Sequence, residues 1–171
     1  MTNSKEIAAS IVFAATVAAT TLVVRIPIPG TGGYFNLGDT MVLTAALLFG
    51  WRVGAFAGGV GSALADLIGF PLFAPLTLVV KGMEGSVAGR LRSSESSWRN
   101  VLAVIVGAAI MVSGYFLGEA LMPWYGGLAG AIEEIPFNLG QAVSGIILSL
   151  IITKAVIKAA PELLLEENIT P

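Results

Sequence analysis

Val101-Leu-Ala-Val-Ile-Val-Gly-Ala-Ala-Ile-Met-Val-Ser-Gly-Tyr-Phe-Leu-Gly-Glu-Ala-Leu121 carries a single formal charge, Glu119. As a helix it extends about 30 Å at 1.5 Å per residue, the thickness of a bilayer's hydrocarbon core. A helix also satisfies its own backbone N–H and C=O groups where no water is present to do so. The rest of the chain repeats the pattern. Its 171 residues are 56% hydrophobic and 12% charged, against roughly 25% charged in an average soluble domain. The sequence therefore predicts an all-α integral membrane protein.

Six apolar stretches are read as helices, over residues 5–24, 39–49, 53–69, 74–91, 101–121 and 135–159. Together they form one transmembrane bundle over residues 1–160, followed by a short cytoplasmic tail, 161–171. The second stretch covers only about 20 Å even when started at Leu37. The loop before it, Arg25-Ile-Pro-Ile-Pro-Gly-Thr-Gly-Gly-Tyr-Phe-Asn-Leu-Gly-Asp39, is accordingly expected to be re-entrant-like. Non-helical backbone is tolerated at membrane depth only where protein buries it or it lines a cavity.

Seven of the nine basic residues, Lys5, Arg52, Arg90, Arg92, Arg99, Lys154 and Lys158, fall at one membrane side if six helices alternate. The positive-inside rule then puts both termini in the cytoplasm and leaves residues 25–38, 70–75 and 122–134 outside. A multi-pass protein of a prokaryotic plasma membrane is expected. The first stretch lacks a small-residue cleavage site and reads as an uncleaved span.

Without Cys or His the chain lacks the usual metal and haem ligands, so no metal site or cofactor is expected. No phosphate loop, G-x-S-x-G elbow or H-E-x-x-H motif is present, and no enzyme activity is assigned. No basic run suggests nucleic acid.

Certain polar residues are out of place in such a sequence. Lys81 and Glu84 fall mid-span, where a charge costs about 2.5 to 3.5 kcal/mol on insertion scales. Three residues apart, they can pair with each other or meet a polar ligand. Asn138, Gln141, Ser144 and Gly145 form a narrow polar stripe after Pro136, which is read as the first turn of the last helix. The stripe suits either a heterocycle with ring nitrogens and hydroxyls or contacts between helices. Asp39 is expected to cap the second helix, leaving Tyr34 and Asn36 to face a ligand. Asp66 and Glu119, near outer ends, are expected to snorkel to water. Trp124 and Tyr125 fit an interfacial aromatic belt or a cover for a cavity. The common account is an outward-opening small-molecule pocket, with Tyr34, Asn36, Lys81, Glu84, Asn138 and Gln141 as candidate substrate-binding residues.

In the first helix, Ala14 with Ala18 and Ala15 with Ala19 give two overlapping small-xxx-small patterns. Such a face admits close approach of another helix, from this bundle or from a different subunit.

Several motifs in order carry a wider likeness: the alanine-rich first helix, Gly33-Tyr-Phe-Asn-Leu-Gly-Asp39, Ala45-Ala-Leu-Leu-Phe-Gly50, Lys81-Gly-Met-Glu-Gly85 and Glu134-Ile-Pro-Phe-Asn-Leu-Gly-Gln141. In these the chain resembles the substrate-binding S components of energy-coupling factor (ECF) vitamin transporters. The likeness is to the branch for hydroxymethylpyrimidine, pyridoxine or riboflavin-type cargo. The resemblance implies a six-helix protein that binds a vitamin or precursor near the outer face. It also implies a transmembrane coupling (T) subunit docking on Ala14, Ala15, Ala18 and Ala19, two cytoplasmic ATPases that hydrolyse ATP, and release by toppling in the membrane. The chain lacks the Lys-Tyr-Asp-Pro stretch associated with riboflavin carriers and the His and crowded Trp of thiamine binders, which favours a small pyrimidine or pyridine compound. Two alternatives stay open. One is a solitary carrier driven by an ion gradient, with Lys81, Glu84, Asp66 or Glu119 relaying charge. The other is a small membrane enzyme or assembly factor, for which no catalytic set can be named.

Overall fold

The computed structural model describes residues 4–31 and 33–160; the tail expected over 161–171 lies outside them. Helix α1 (Ser4–Val23) leads into an antiparallel hairpin, β1 (Arg25–Pro27) and β2 (Tyr34–Asn36), with Ile26 opposite Phe35. Then come α2 (Gly38–Phe49), α3 (Trp51–Phe56), a π-helical turn (Ala57–Gly61) and α4 (Ser62–Gly69). The chain continues through α5 (Ala74–Leu91), α6 (Ser97–Leu121), a 3-10 turn (Pro123–Tyr125) and α7 (Gly127–Ala159). Because α3, the π turn and α4 follow one another without a break, the helices among the described residues form six rods, as the sequence predicts. Among the described residues three helices, α1, α6 and α7, are by themselves long and apolar enough to cross a membrane.

The short α2 occupies the centre. Val42, Leu43, Ala45 and Ala46 are wholly buried, in two clusters that join α2 to Val17 of α1, Val53 of α3, Ala88 of α5 and Ala103 and Val104 of α6. Large apolar side chains such as Ile11, Ile68, Leu121 and Ile151 point outward from the other rods, as a lipid-facing surface requires. On α1, the Thr16 and Thr20 hydroxyls donate to the carbonyls of Val12 and Thr16 at 2.8 Å, which makes them tolerable in apolar surroundings.

Glycine sets the closest approach between rods. A Cβ at Gly54 would come within 2.6 Å of the Gly85 carbonyl oxygen, so α3 and α5 pack backbone to backbone. Gly61 makes a like approach to Ala14, which is buried, whereas Ala18 is half-buried and Ala15 and Ala19 are exposed. The alanine stripe is thus divided between the chain's own bundle and the outside.

Basic groups gather at the end expected to be cytoplasmic. Arg52 pairs with Glu6 at 3.6 Å, Arg90 lies over the Trp51 ring at 4.2 Å, and Arg92 donates to the Leu47 and Leu48 carbonyls that end α2. Cations are favoured at a helix C-terminus, where carbonyls are left unpaired.

Two boundaries differ from expectation by more than two residues. Helix α6 starts at Ser97, capped by the Ser96 hydroxyl, which accepts from the Arg99 N–H. Helix α7 starts at Gly127, so Pro136 lies inside it and not in its first turn. The start is set upstream, where Gly126 and Gly127 adopt φ of 113° and 63°, values that glycine reaches without a Cβ clash.

Candidate functional site

Asp39 does not cap α2. The N-cap position is Leu37, with no side-chain capping bond, and Asp39 instead turns inward to pair with the Lys81 ammonium. A buried ammonium needs a counter-ion more than a helix N-terminus needs a cap. Lys81 also lies 3.3 Å from Glu84, so the cation sits between two carboxylates, all three almost completely buried.

The cluster extends to the hairpin through Gln141. Its Nε2 donates to Asp39 at 2.7 Å, and its Oε1 accepts from the Asn36 backbone N–H and side-chain amide at 2.8 and 2.9 Å. The Asn36 Oδ1 in turn accepts from the Gly38 N–H, which fixes the entry to α2. Gly145, one turn beyond Gln141, leaves room for Asp39, since a Cβ there would lie 2.9 Å from the aspartate Cβ.

Above this network, between the hairpin and the rods, is a polar cavity of about 30 Å³. The hairpin contributes Gly33, Tyr34 and Asn36; α4 contributes Asp66; α5 and the residue before it contribute Thr77 and Phe73; α6 contributes Tyr115; and one face of α7 contributes Glu134, Asn138 and Gln141. Spacings of four and three put the last three on a single helix face.

Most walls are tied down. The Tyr34 hydroxyl donates to Asp66, its ring stacks on Phe70 at 4.8 Å, and the Arg25 guanidinium lies 4.7 Å from its centre. Burial first, and then the Asp66 carboxylate, push the Tyr34 hydroxyl well above the usual phenol range, so it stays protonated and acts as a donor. Arg25 also donates to the Ala65 carbonyl at 3.1 Å. The hydroxyls of Thr77 and Tyr115 are 2.8 Å apart, and Lys81 lies 5.6 Å from the Tyr115 ring.

Two wall groups are not tied. Asn138 is 8% exposed as a residue and its side-chain amide makes no hydrogen bond among the described residues. Glu134 is 3% exposed; the Thr31 hydroxyl and the Gly33 N–H stand beside its carboxyl, but its Oε1 completes no hydrogen bond among the described residues, and neither oxygen of Glu119, wholly buried behind it, does so either. The two carboxyls are hydrogen-bonding neighbours of each other. Gly33 makes room for them, since a Cβ there would overlap the Glu134 carboxyl.

Of the residues singled out in the sequence, Tyr34, Asn36, Asn138 and Gln141 line the cavity. Lys81 and Glu84 lie outside that lining, below Gln141 in the ion-paired cluster. Asp66 and Glu119 do not snorkel to water; they are 1% and 0% exposed. Tyr34 covers Asp66, and the early start of α7 brings Glu134 against Glu119. Trp124 is exposed like a belt residue, but Tyr125 is buried, its ring 4.9 Å from Phe73 at the cavity wall. Sequence reasoning missed Phe73, Thr77, Tyr115 and Glu134. The stripe through Asn138 and Gln141, continued one turn back, marks Glu134; Thr77 lies one turn before Lys81.

A second hollow, of about 510 Å³, opens between α6 and α7. It is lined by apolar groups such as Ile105, Val112, Phe116 and Leu139, and its one hydroxyl, Ser113, is bonded to the Ala109 carbonyl. It offers nothing to orient a polar ligand.

Comparison with known proteins adds four findings. A family model for the S component of ECF-type riboflavin transporters matches residues 1–158. A Pyrococcus woesei protein described only as an uncharacterized protein in a gap 3' region is 47% identical over 133 residues, 77% of this chain and 88% of that protein. The thiamine precursor transporter HmpT of Lactococcus lactis subsp. cremoris (strain MG1363) is 34% identical over 129 residues, 74% of this chain and 72% of HmpT. A solved structure, described as the S component of a bacterial ECF transporter, matches with a TM-score of 0.69 over 93% of this chain and 97% of that one; at 20% identity this likeness shows the fold.

Proposed function

The chain belongs to the family of ECF-type riboflavin transporter S components, membrane-embedded binding subunits and not enzymes, and from that premise we propose that its cargo is a small pyrimidine or pyridine vitamin precursor held in the cavity beneath the hairpin. The observation that carries the cargo reading is the cavity itself: small, polar, and walled by Tyr34, Asp66, Tyr115, Asn138 and Gln141. Hydroxyl, amide and carboxyl groups converging on one space suit a heterocycle with several hydrogen-bonding edges. The relation to HmpT, a thiamine precursor transporter, supports the same class.

Size argues in the same direction. A space of about 30 Å³ holds little more than water, so the walls must part for any cargo. A single six-membered ring asks less of them than a three-ring flavin. The wall best able to yield is the hairpin, which is held by Tyr34 to Asp66 and by Asn36 to Gln141. In this reading Lys81 and Glu84 serve the site from below, by fixing Asp39 and through it Gln141.

The family implies a T subunit and ATPases as partners. On this chain the proposed docking surface is α1. Ala15 and Ala19 are exposed beside Ile11 and Val12, while Ala14 and Ala18 seat the helix on its own bundle. Close helix contact there needs no polar groups.

Native mass spectrometry of the detergent-purified chain tests the cargo. A stoichiometric pyrimidine or pyridine compound is expected, and a bound flavin would overturn the reading. Sustained uptake by vesicles containing this chain alone would instead favour a solitary carrier.

A further inference from the structure

Glu119 and Glu134 are two buried carboxyls that form no ion pair among the described residues. The nearby positive charges are taken: Lys81 by Asp39 and Glu84, and Arg25 by the Ala65 carbonyl and the rings of Tyr34 and Phe70. Two adjacent carboxyls in such surroundings stay ionised together only if a positive or donating partner reaches them; otherwise one proton is held between them and a single carboxylate charge is left. Glu119 has no direct outlet, being absent from the cavity wall, whereas Glu134 lines it, flanked by Thr31 and the Gly33 N–H but with Oε1 completing no hydrogen bond among the described residues. The pair therefore presents a strong hydrogen-bond acceptor to the cavity.

A second, independent group points the same way. Asn138, one turn further along α7, lines the same cavity with its amide unpartnered and more than nine-tenths buried. Groups four residues apart on a helix are about 5 to 6 Å apart at Cβ. A carboxylate that needs N–H donors, beside an amide that can donate, matches an aromatic ring with an exocyclic amino group next to a ring nitrogen. The amino group donates to Glu134, and the ring nitrogen accepts from the Asn138 amide.

We propose that Glu134, backed by Glu119, together with Asn138 forms an amine-reading subsite that selects amino-substituted nitrogen heterocycles over their keto analogues. This rests on the small-heterocycle cargo reading above and names the chemical edge that is read. A keto oxygen in place of the amino group would set acceptor against acceptor at Glu134, and a buried mismatch of that kind is costly.

The test is isothermal titration of the purified full chain with two probes, amino-bearing hydroxymethylpyrimidine and the analogue with a keto oxygen in that position. The wild type should prefer the amino compound by at least about tenfold, the scale of one hydrogen bond to a charged group. In Glu134→Gln the amide can donate to the keto oxygen, so the preference should vanish or reverse. Equal affinity of the wild type for both compounds overturns the proposal with no variant needed, which covers failure of Glu134→Gln to fold. If the wild type prefers the amino compound and a folded Glu134→Gln keeps that preference, the cargo reading stands and the subsite falls. If the wild type binds neither pyrimidine but does bind another vitamin, the pyrimidine reading itself fails and the subsite with it.

Discussion

Replacing Lys81 by Met separates a structural role from a ligand contact. Lys81 is 3% exposed and lies between Asp39 at 1% and Glu84 at 0%, so methionine leaves two buried carboxylates without their cation. Breaking a buried ion pair by removing one partner costs about 3 to 5 kcal/mol. For a chain of this size that lowers the melting temperature by the order of 10 °C. The loss should come mainly from the stranded carboxylates, so the triple variant Asp39→Asn, Lys81→Met, Glu84→Gln should regain much of it. The assay is thermal unfolding in detergent, with ligand affinity measured well below the transition. Lys81 does not line the cavity, so affinity should fall only as far as Gln141 loses its anchor on Asp39. A Lys81→Met protein with wild-type melting temperature and no ligand binding would refute this reasoning and make Lys81 a direct ligand contact.

Further outcomes follow from the same geometry. Asn138→Ala should weaken ligand binding about tenfold or more while barely changing the melting temperature, because the amide has no partner to lose; titration together with a melt distinguishes the two effects. Tyr34→Phe removes a hydroxyl that donates to Asp66 and should cost about 1 to 3 kcal/mol, visible as a lower melting temperature alongside lower affinity. Ala15→Leu with Ala19→Leu should spare folding and binding but abolish uptake in vesicles reconstituted with T subunit and ATPases. Ala14→Leu should instead destabilise the isolated chain by about 1 to 3 kcal/mol, since Gly61 packs against it.

The rods were legible because hydropathy and the distribution of basic residues are set by the bilayer, a solvent as simple as water. The 74–91 prediction coincides with α5. Four cavity residues were also legible, because polar groups in an apolar sequence stand out. The errors came where a local rule met a tertiary demand. Aspartate before a helix usually caps it, but Asp39 answers Lys81, an ammonium 42 positions away. Proline favours a first turn, but the turn at Gly126 and Gly127 had already started α7, and placing the start at Ile135 hid Glu134. Asp66 and Glu119 were judged by their distance from helix ends, a measure blind to the hairpin and to the extra turns of α7 that cover them.

Helix α2 has ten of its twelve residues buried, and the other two half-buried. A segment of that length offers less than one crossing of the hydrocarbon core, so it has little reason to partition into a bilayer by itself during synthesis. It is kept in place by the rods packed around it, so α1 must remain within reach until α3, α5 and α7 arrive. The protein's centre is then the last part to become secure, and changes that loosen the outer rods should show up in biogenesis, as chains that insert but never close around α2.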